Sequence, residues 1–374
     1  MTRVARFVPV PFVGGVGVSV MAYWRLMDHA EFPADFFVRE PLPEPLVREI
    51  ESEGGRVFVV PGFSRPLAFL RTTVRLLKEG RYGIVHANMS TLSAFPLLAA
   101  KLAGVPVRIA HSHTTSTFRE PVRHLAKLAL RPLANVLATR YAACSENAAR
   151  WQFGASRVKA GRVCVLHTAV DMRRFAFAAG ERARLRRELG YGPDDIVVGL
   201  VGRLVTQKNP VRTVRILGSF ARIRPSARLL VVGDGPLSDA MRTEADRLGL
   251  RGRVMFVGRK ADPSPYYNAM DVFAFPSLYE GLGRVLVEAQ INGLRGVASD
   301  AVPQEAKVSE LVEFVPLAAS DDEWAAAFGR AADAGRTAQD MRRTVADAGY
   351  DITREARRNA DFYRAALAER ACGC

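Results

Sequence analysis

The chain has 374 residues, 49% of them apolar, and a formal charge of +15, so it is long and apolar enough for two sizeable cores. Residues 1–180 hold 24 Lys and Arg against 12 Asp and Glu, an asymmetry that suits an anionic partner: a phospholipid surface, a lipid diphosphate or nucleic acid. Cys144, Cys164, Cys372 and Cys374 show no metal-ligand spacing and are too few for a disulfide framework, which points to a reducing cytosol.

Arg3 and Arg6 ahead of residues 7–20 superficially mimic a signal peptide. Pro9, Pro11 and the Gly14-Gly-Val-Gly17 cluster interrupt that run, so a first buried strand followed by a glycine turn fits better. Without an uninterrupted apolar span of about 18 residues, no transmembrane helix is expected. Strand-like runs then follow at 4–10, 36–38, 56–60, 84–87, 107–111, 141–144 and 163–167, with helical stretches between them, as at 67–79 and 92–103. Residues 178–195 are charged and only weakly periodic, and the lobe boundary is placed there. A second alternation runs through strands 196–201, 228–232, 254–257 and 272–275, and residues 352–367 read as an amphipathic helix. Such alternation gives an α/β chain of parallel sheets built from βαβ units. The expected domains are 1–185, 186–350 and a terminal helix and tail, 351–374.

The most informative stretch is Pro276-Ser-Leu-Tyr-Glu-Gly-Leu-Gly-Arg-Val-Leu-Val-Glu-Ala-Gln290. A strand runs out into a glycine loop, and a helix begins because Val285, Leu286 and Ala289 recur at helical spacing. Glu280 and Glu288 are eight residues apart, which returns both acids to nearly one face. Between them Gly281, Leu282, Gly283 and Arg284 form a helix N-terminus of the kind that favours a phosphate. Gly202-Arg203 with Lys208-Asn209-Pro210 follows the strand at 196–201 and supplies two cations. Gly233-Asp-Gly-Pro236 is a strand-end turn with a structural role at least as expected as ligand contact. Gly258 and Arg259 follow another strand end. His86 ends one first-lobe strand, and His111 and His113 end the next.

This order of motifs resembles the family 4 glycosyltransferases of GT-B fold, a retaining family, and its exopolysaccharide branch in particular. The resemblance implies two Rossmann-like, doubly wound parallel-sheet domains facing a cleft, with the last helix crossing back to the first domain. It implies transfer of a sugar from a nucleotide-diphosphate donor, a UDP-sugar in type, to a saccharide or lipid-linked acceptor. Arg203, Lys208, Glu280 and His113 become the candidate catalytic residues. Gly202, Gly258, Arg259, Gly281, Leu282, Gly283, Arg284 and Glu288 would contact the donor, with Glu288 on the ribose. Gly14, Gly15 and Gly17, in the glycine loop of the acceptor lobe, join that set because such a turn brings backbone close to a phosphate or sugar. His86 and His111 fall on the acceptor side. No Asp-x-Asp triplet occurs, so neither metal nor other cofactor is expected. Arg119, Arg123, Lys127 and Arg131 recur every four residues beside Leu125, Leu128, Leu130 and Leu133, a pattern for lying on an anionic bilayer or for a plain solvated face. Pro132 is expected to cut that helix short. No aromatic platform accompanies these charges, which argues against nucleic acid. A cytoplasmic protein on the inner face of the membrane is the expected setting. The alternatives are a small-molecule glycosyltransferase, a nucleotide-sugar epimerase, and a basic membrane- or nucleic-acid-binding protein without activity.

Overall fold

The structure, a computed structural model, describes residues 1–9, 15–113 and 121–371. The chain divides into two compact units, Met1–Ala169 with Ile352–Cys374, and Val170–Asp351. The second unit therefore starts at Val170, sixteen residues before the expected 186. Met172, Phe175 and Leu185 pack into its core, and the helix Ala179–Glu188 lies where only weak periodicity was visible. That helix carries Arg and Glu on most faces, and besides Leu185 it is held to the unit by Arg182 and Arg186, both paired with Asp271.

In the first unit, among the described residues, a parallel sheet runs in the order β3-β2-β1-β4-β5-β6-β7. Its strands are β1 Val4–Phe7, β2 Ala34–Val38, β3 Val57–Val59, β4 Ile84–Ala87, β5 Val107–Ser112, β6 Arg140–Ala143 and β7 Val163–Val165. Successive side chains alternate between two cores. Val4, Phe36, Ile84 and Ile109 meet the helix Gly15–Trp24 and the C-terminal helix Ile352–Ala371. Ala5, Phe7, Phe37 and Val85 meet Phe69 and Leu97 from the helices Pro66–Glu79 and Ala94–Leu102. The C-terminal helix thus belongs to the first unit, as expected. Pro132 does not end its helix, which runs Pro121–Leu137. The turns beyond the proline are held by Arg131 Nη1 donating to Trp151 O at 3.0 Å and Asn135 Nδ2 donating to Gln152 O at 2.9 Å.

The second unit holds a parallel sheet ordered β10-β9-β8-β11-β12-β13. Its strands are β8 Ile196–Val201, β9 Ala227–Val232, β10 Val254–Gly258, β11 Val272–Phe275, β12 Arg295–Ser299 and β13 Val312–Val315. The last two went unrecognised in the sequence. β12 contains Gly296, an unusual residue for a strand interior. A Cβ there would come within 2.6 Å of Leu286 Cδ1, so the glycine admits the helix Arg284–Ile291 close to the sheet. The bridge between Val170 and Asp351 brings the chain's entry to and exit from this unit together. In both sheets the order reverses at one place, between β1 and β4 and between β8 and β11. Ligands of open α/β sheets bind beyond the strand ends at such switch points.

Candidate functional site

The switch point of the second sheet gathers residues far apart in sequence. After β8 the chain turns through Gly202, whose φ of 142° lies outside the range that side chains tolerate well. A single turn, Thr206–Lys208, leads to Asn209 in the left-handed region, and Pro210 opens the helix Pro210–Ile223 at a favoured position. After β11 the loop 276–283 runs alongside. Gln207 joins the two: its carbonyl accepts from Leu278 N at 2.7 Å, and its side-chain amide donates to Tyr279 O at 3.0 Å and Glu280 Oε2 at 3.2 Å. Lys208 Nζ donates to Glu280 Oε1 at 2.7 Å and lies 4.7 Å from the Phe275 ring centroid. Arg203 is exposed and forms no ion pair with the described residues.

The turn 233–236 has a structural task here. Gly233 N donates to Gly258 O, and a Cβ on Gly233 would fall 1.8 Å from Gly202 O. A Cβ on Gly235 would meet the Leu204 backbone at 2.5 Å. The two glycines therefore let the 202–204 segment lie flat on the turn. Gly258, with φ 71°, ends β10, and Arg259 beside it is exposed.

Gly283 caps the helix Arg284–Ile291 with φ 99°, and a Cβ there would press on Phe275 at 2.9 Å. One turn further in, buried Glu288 accepts from Tyr267 Oη at 2.7 Å and sits in ionic contact with Arg284 Nε at 2.8 Å, without hydrogen-bond alignment. Arg284 is thus turned toward Glu288. Burial raises the Glu288 carboxyl above its ordinary 4.5, opposed by Arg284 and the Tyr267 hydroxyl. Burial and the facing carboxylate push Tyr267 well above 10. Glu280 is thus ion-paired with Lys208 and Glu288 with Arg284, and Leu282 of the intervening loop is buried.

The first sheet's switch point holds the histidines. His86 on β4 accepts or donates at both ring nitrogens: Nδ1 lies 2.7 Å from Tyr363 Oη, and Nε2 lies 2.9 Å from His111 Nδ1. His111 and His113 stack at 3.9 Å between centroids, and His113 Nε2 lies 3.2 Å from Asn88 Oδ1. Burial holds His86 and His111 well below 6.5, helped by the Arg6 charge, and lowers His113 to about 3. All three rings are neutral at physiological pH.

Of the expected site residues, Gly202, Lys208, Glu280, Gly281, Leu282 and Gly283 share one switch point, and Glu288 with Arg284 stands one turn behind. His86, His111 and His113 share the other. Gly15 begins the helix Gly15–Trp24 and Gly17 is buried within it; Gly14 lies outside the described residues, as do Arg119 and the side chain of Arg123. Lys127 and Arg131 turn toward Trp151, each 5.9 Å from its ring. Gln207, Tyr267 and Asn88 were missed. Gln207 stood inside a recognised motif without a role, whereas Tyr267, on the helix Ser264–Ala269, carries no spacing signal.

Comparison with known proteins agrees with this geometry. The family model "Glycosyl transferases group 1" matches residues 181–344, and "Glycosyltransferase Family 4" matches residues 13–174. The glycosyltransferase-type protein EpsF of Bacillus subtilis (strain 168) is 36% identical over 348 residues, 90% of either chain. The Escherichia coli UDP-Gal:alpha-D-GlcNAc-diphosphoundecaprenol alpha-1,3-galactosyltransferase is 26% identical over 310 residues, 80% of this chain and 79% of its own. The crystal structure of Anabaena Alr3699/HepE in complex with UDP-glucose shares the fold at TM-score 0.80, with 21% identity across 98% of this chain and 100% of its own. Two parallel sheets of this order, the paired motifs of the second unit and these matches lead to one assignment: the chain belongs to the group 1, family 4 glycosyltransferases of GT-B fold.

Proposed function

We propose that the chain is a retaining, metal-independent transferase that moves a sugar from a UDP-sugar to a saccharide or lipid-linked acceptor in polysaccharide or glycoconjugate synthesis. The observation that carries this reading is the 2.7 Å contact between Lys208 and Glu280, which brings the cation motif and the acidic glycine motif to one switch point. Arg203 and Lys208 would neutralise the charge that builds on the departing diphosphate, with little reorganisation because both start in place. The N-terminus at Gly283 offers N–H groups to a phosphate, and Glu288 can accept two ribose hydroxyls. Gly258 and Arg259 would present backbone groups to the base, and Glu280 would accept from hydroxyls of the transferred sugar. His113 is the first unit's candidate catalytic group. The bond from the anomeric carbon to the diphosphate breaks, the acceptor oxygen attacks from the same face, and its proton passes to the departing phosphate. The E. coli relative's name, with its UDP-Gal donor and diphosphoundecaprenol acceptor, supports the choice of donor and acceptor classes.

Transfer is tested with a panel of UDP-sugars and lipid-linked acceptors, with and without a chelator, and the product's anomeric configuration is read by NMR. Inversion, strict dependence on a divalent ion, or normal turnover by the Arg203→Ala, Lys208→Ala double variant would each overturn the reading. Release of UDP with an isomerised sugar and no acceptor would favour the epimerase.

Association with an anionic bilayer is part of the proposal. On the helix Pro121–Leu137, Leu125 (69% exposed), Leu133 and Val136 (76% exposed) form an apolar stripe at helical spacing on the more basic half of the chain. No helix among the described residues is long and apolar enough to cross a membrane.

A further inference from the structure

Arg6 lies on β1 beside His86 of β4 and is 2% exposed. A guanidinium stays charged at any pH a folded protein meets, and a buried charge needs a partner. Among the described residues Arg6 pairs with no carboxylate. Its one hydrogen bond runs from Nη2 to the Met27 sulfur at 2.9 Å, its cation lies 5.8 Å from the Tyr363 ring centroid, and Nε has no acceptor. The side chain lines a small cavity with His86, Asn88, His111 and Asn359.

His86 bridges two partners: Nδ1 lies 2.7 Å from Tyr363 Oη and Nε2 lies 2.9 Å from His111 Nδ1. In the tautomer in which the tyrosine hydroxyl donates to His86 and His86 donates to His111, the His111 proton sits on Nε2, a buried atom without a hydrogen-bond partner among the described residues. Arg6 Nε is likewise buried without an acceptor, so a permanent cation and a ring N–H both face the cavity.

We propose that this cavity is an anion site, taking one small anion or a single carboxylate or phosphate oxygen against the Arg6 guanidinium and His111 Nε2. The anion is either a free ion or an acidic group of the acceptor; the chemistry that holds it is the same.

Bromide is the probe. Crystals of the whole protein soaked in sodium bromide should show anomalous density within hydrogen-bonding reach of Arg6 and His111. In solution, exchanging gluconate for bromide at constant ionic strength should raise the melting midpoint in a saturable way, and Arg6→Met should abolish that dependence. If Arg6→Met does not fold, Arg6→Lys, which keeps the charge and loses the fork, should shift the saturation point to higher bromide. Bromide that competes with the acceptor and not with the donor identifies an acidic group on the acceptor as the ligand; bromide that stabilises without inhibiting identifies a resident ion. Absence of density together with an anion-independent midpoint overturns the site, as does a bromide response that survives in Arg6→Met. Neither binding readout requires glycosyl transfer, so failure here is distinct from failure of the proposed function.

Discussion

Replacing Lys208 by Met removes the cation that faces Glu280 and lies 4.7 Å from the Phe275 ring centroid, and keeps an unbranched side chain. Side-chain exposures are 18% for Lys208 and 8% for Glu280, so the carboxylate is left in a largely dry place. Removing one partner of a fully buried ion pair costs about 3–5 kcal/mol. Glu280 keeps the Gln207 amide at 3.2 Å, which lowers the expected loss to about 1–3 kcal/mol. For a unit of this size that is a fall of roughly 5 °C in its melting transition. Glu280→Gln on the Lys208→Met background strands no charge, so the double variant should melt above Lys208→Met alone. Activity should respond differently. A positioned donor at developing charge is worth about 10²–10³ in kcat, and Glu280→Gln cannot restore it. Thermal melts of the four members of the cycle, with transfer rates beside them, test both parts. Additive losses in stability, or a Lys208→Met enzyme with normal kcat, would refute the reasoning.

Gly233→Ala would drive a methyl into the Gly202 carbonyl at 1.8 Å; a loss of about 1–3 kcal/mol with a raised KM for the donor is expected, checked by melting and saturation kinetics. Because the folded carboxyl of Glu288 is raised, its contribution to stability is full below about 4.5 and declines as pH rises through the folded value. Glu288→Gln should flatten that part of the melting-temperature profile relative to the native chain. His113 is depressed to about 3, so its contribution is full above about 6.5 and is lost as pH falls toward 3. His113→Gln should shed one proton's worth of acid destabilisation, read by the difference in melting profiles, and no limb near pH 6.5 in the rate profile should disappear with it. Leu125→Glu with Val136→Glu should weaken cosedimentation with phosphatidylglycerol vesicles without changing the rate on a soluble acceptor.

Much of the second unit's site was legible because its motifs are local. Gly283, Glu280 and Glu288 sit on one strand–loop–helix unit, whose geometry follows from φ above zero at the cap and from helical period. What joins that unit to Gly202–Pro210 is tertiary: Gln207 reaches Tyr279 and Glu280 across two strands that are adjacent only because the order reverses between β8 and β11. Tyr267 was invisible for the same reason. The strand at 295–299 was hidden by Gly296, which reads as a breaker until the proximity of Leu286 explains it. In the first unit the histidines were recognisable as strand ends, but their linkage depends on Tyr363, more than two hundred and fifty residues away in the chain and brought in by the terminal helix. For the basic helix the structure places Lys127 and Arg131 of the four spaced cations, and Arg119 and the side chain of Arg123 lie outside the described residues. Charge spacing suggested a cationic outer face, whereas Lys127 and Arg131 turn to Trp151 and leave leucine and valine outside, since long cationic side chains can lay their stems along an aromatic ring.

The five charged side chains at and behind the second switch point explain which cation should matter most. Glu280 is matched by Lys208 and Glu288 by Arg284, so each acid already faces a cation in the protein without a donor. Among these five, the charge left over belongs to Arg203, exposed and without an ion-pair partner among the described residues. Lys208 can serve a leaving phosphate only while Glu280 is drawn to the sugar's hydroxyls, which ties its action to a correctly seated donor. Arg203 is under no such condition. Under the proposed function Arg203 would attract the diphosphate from the outset, whereas Lys208 would stabilise it once the sugar is in place; the first should therefore set donor affinity and the second the rate of the bound complex.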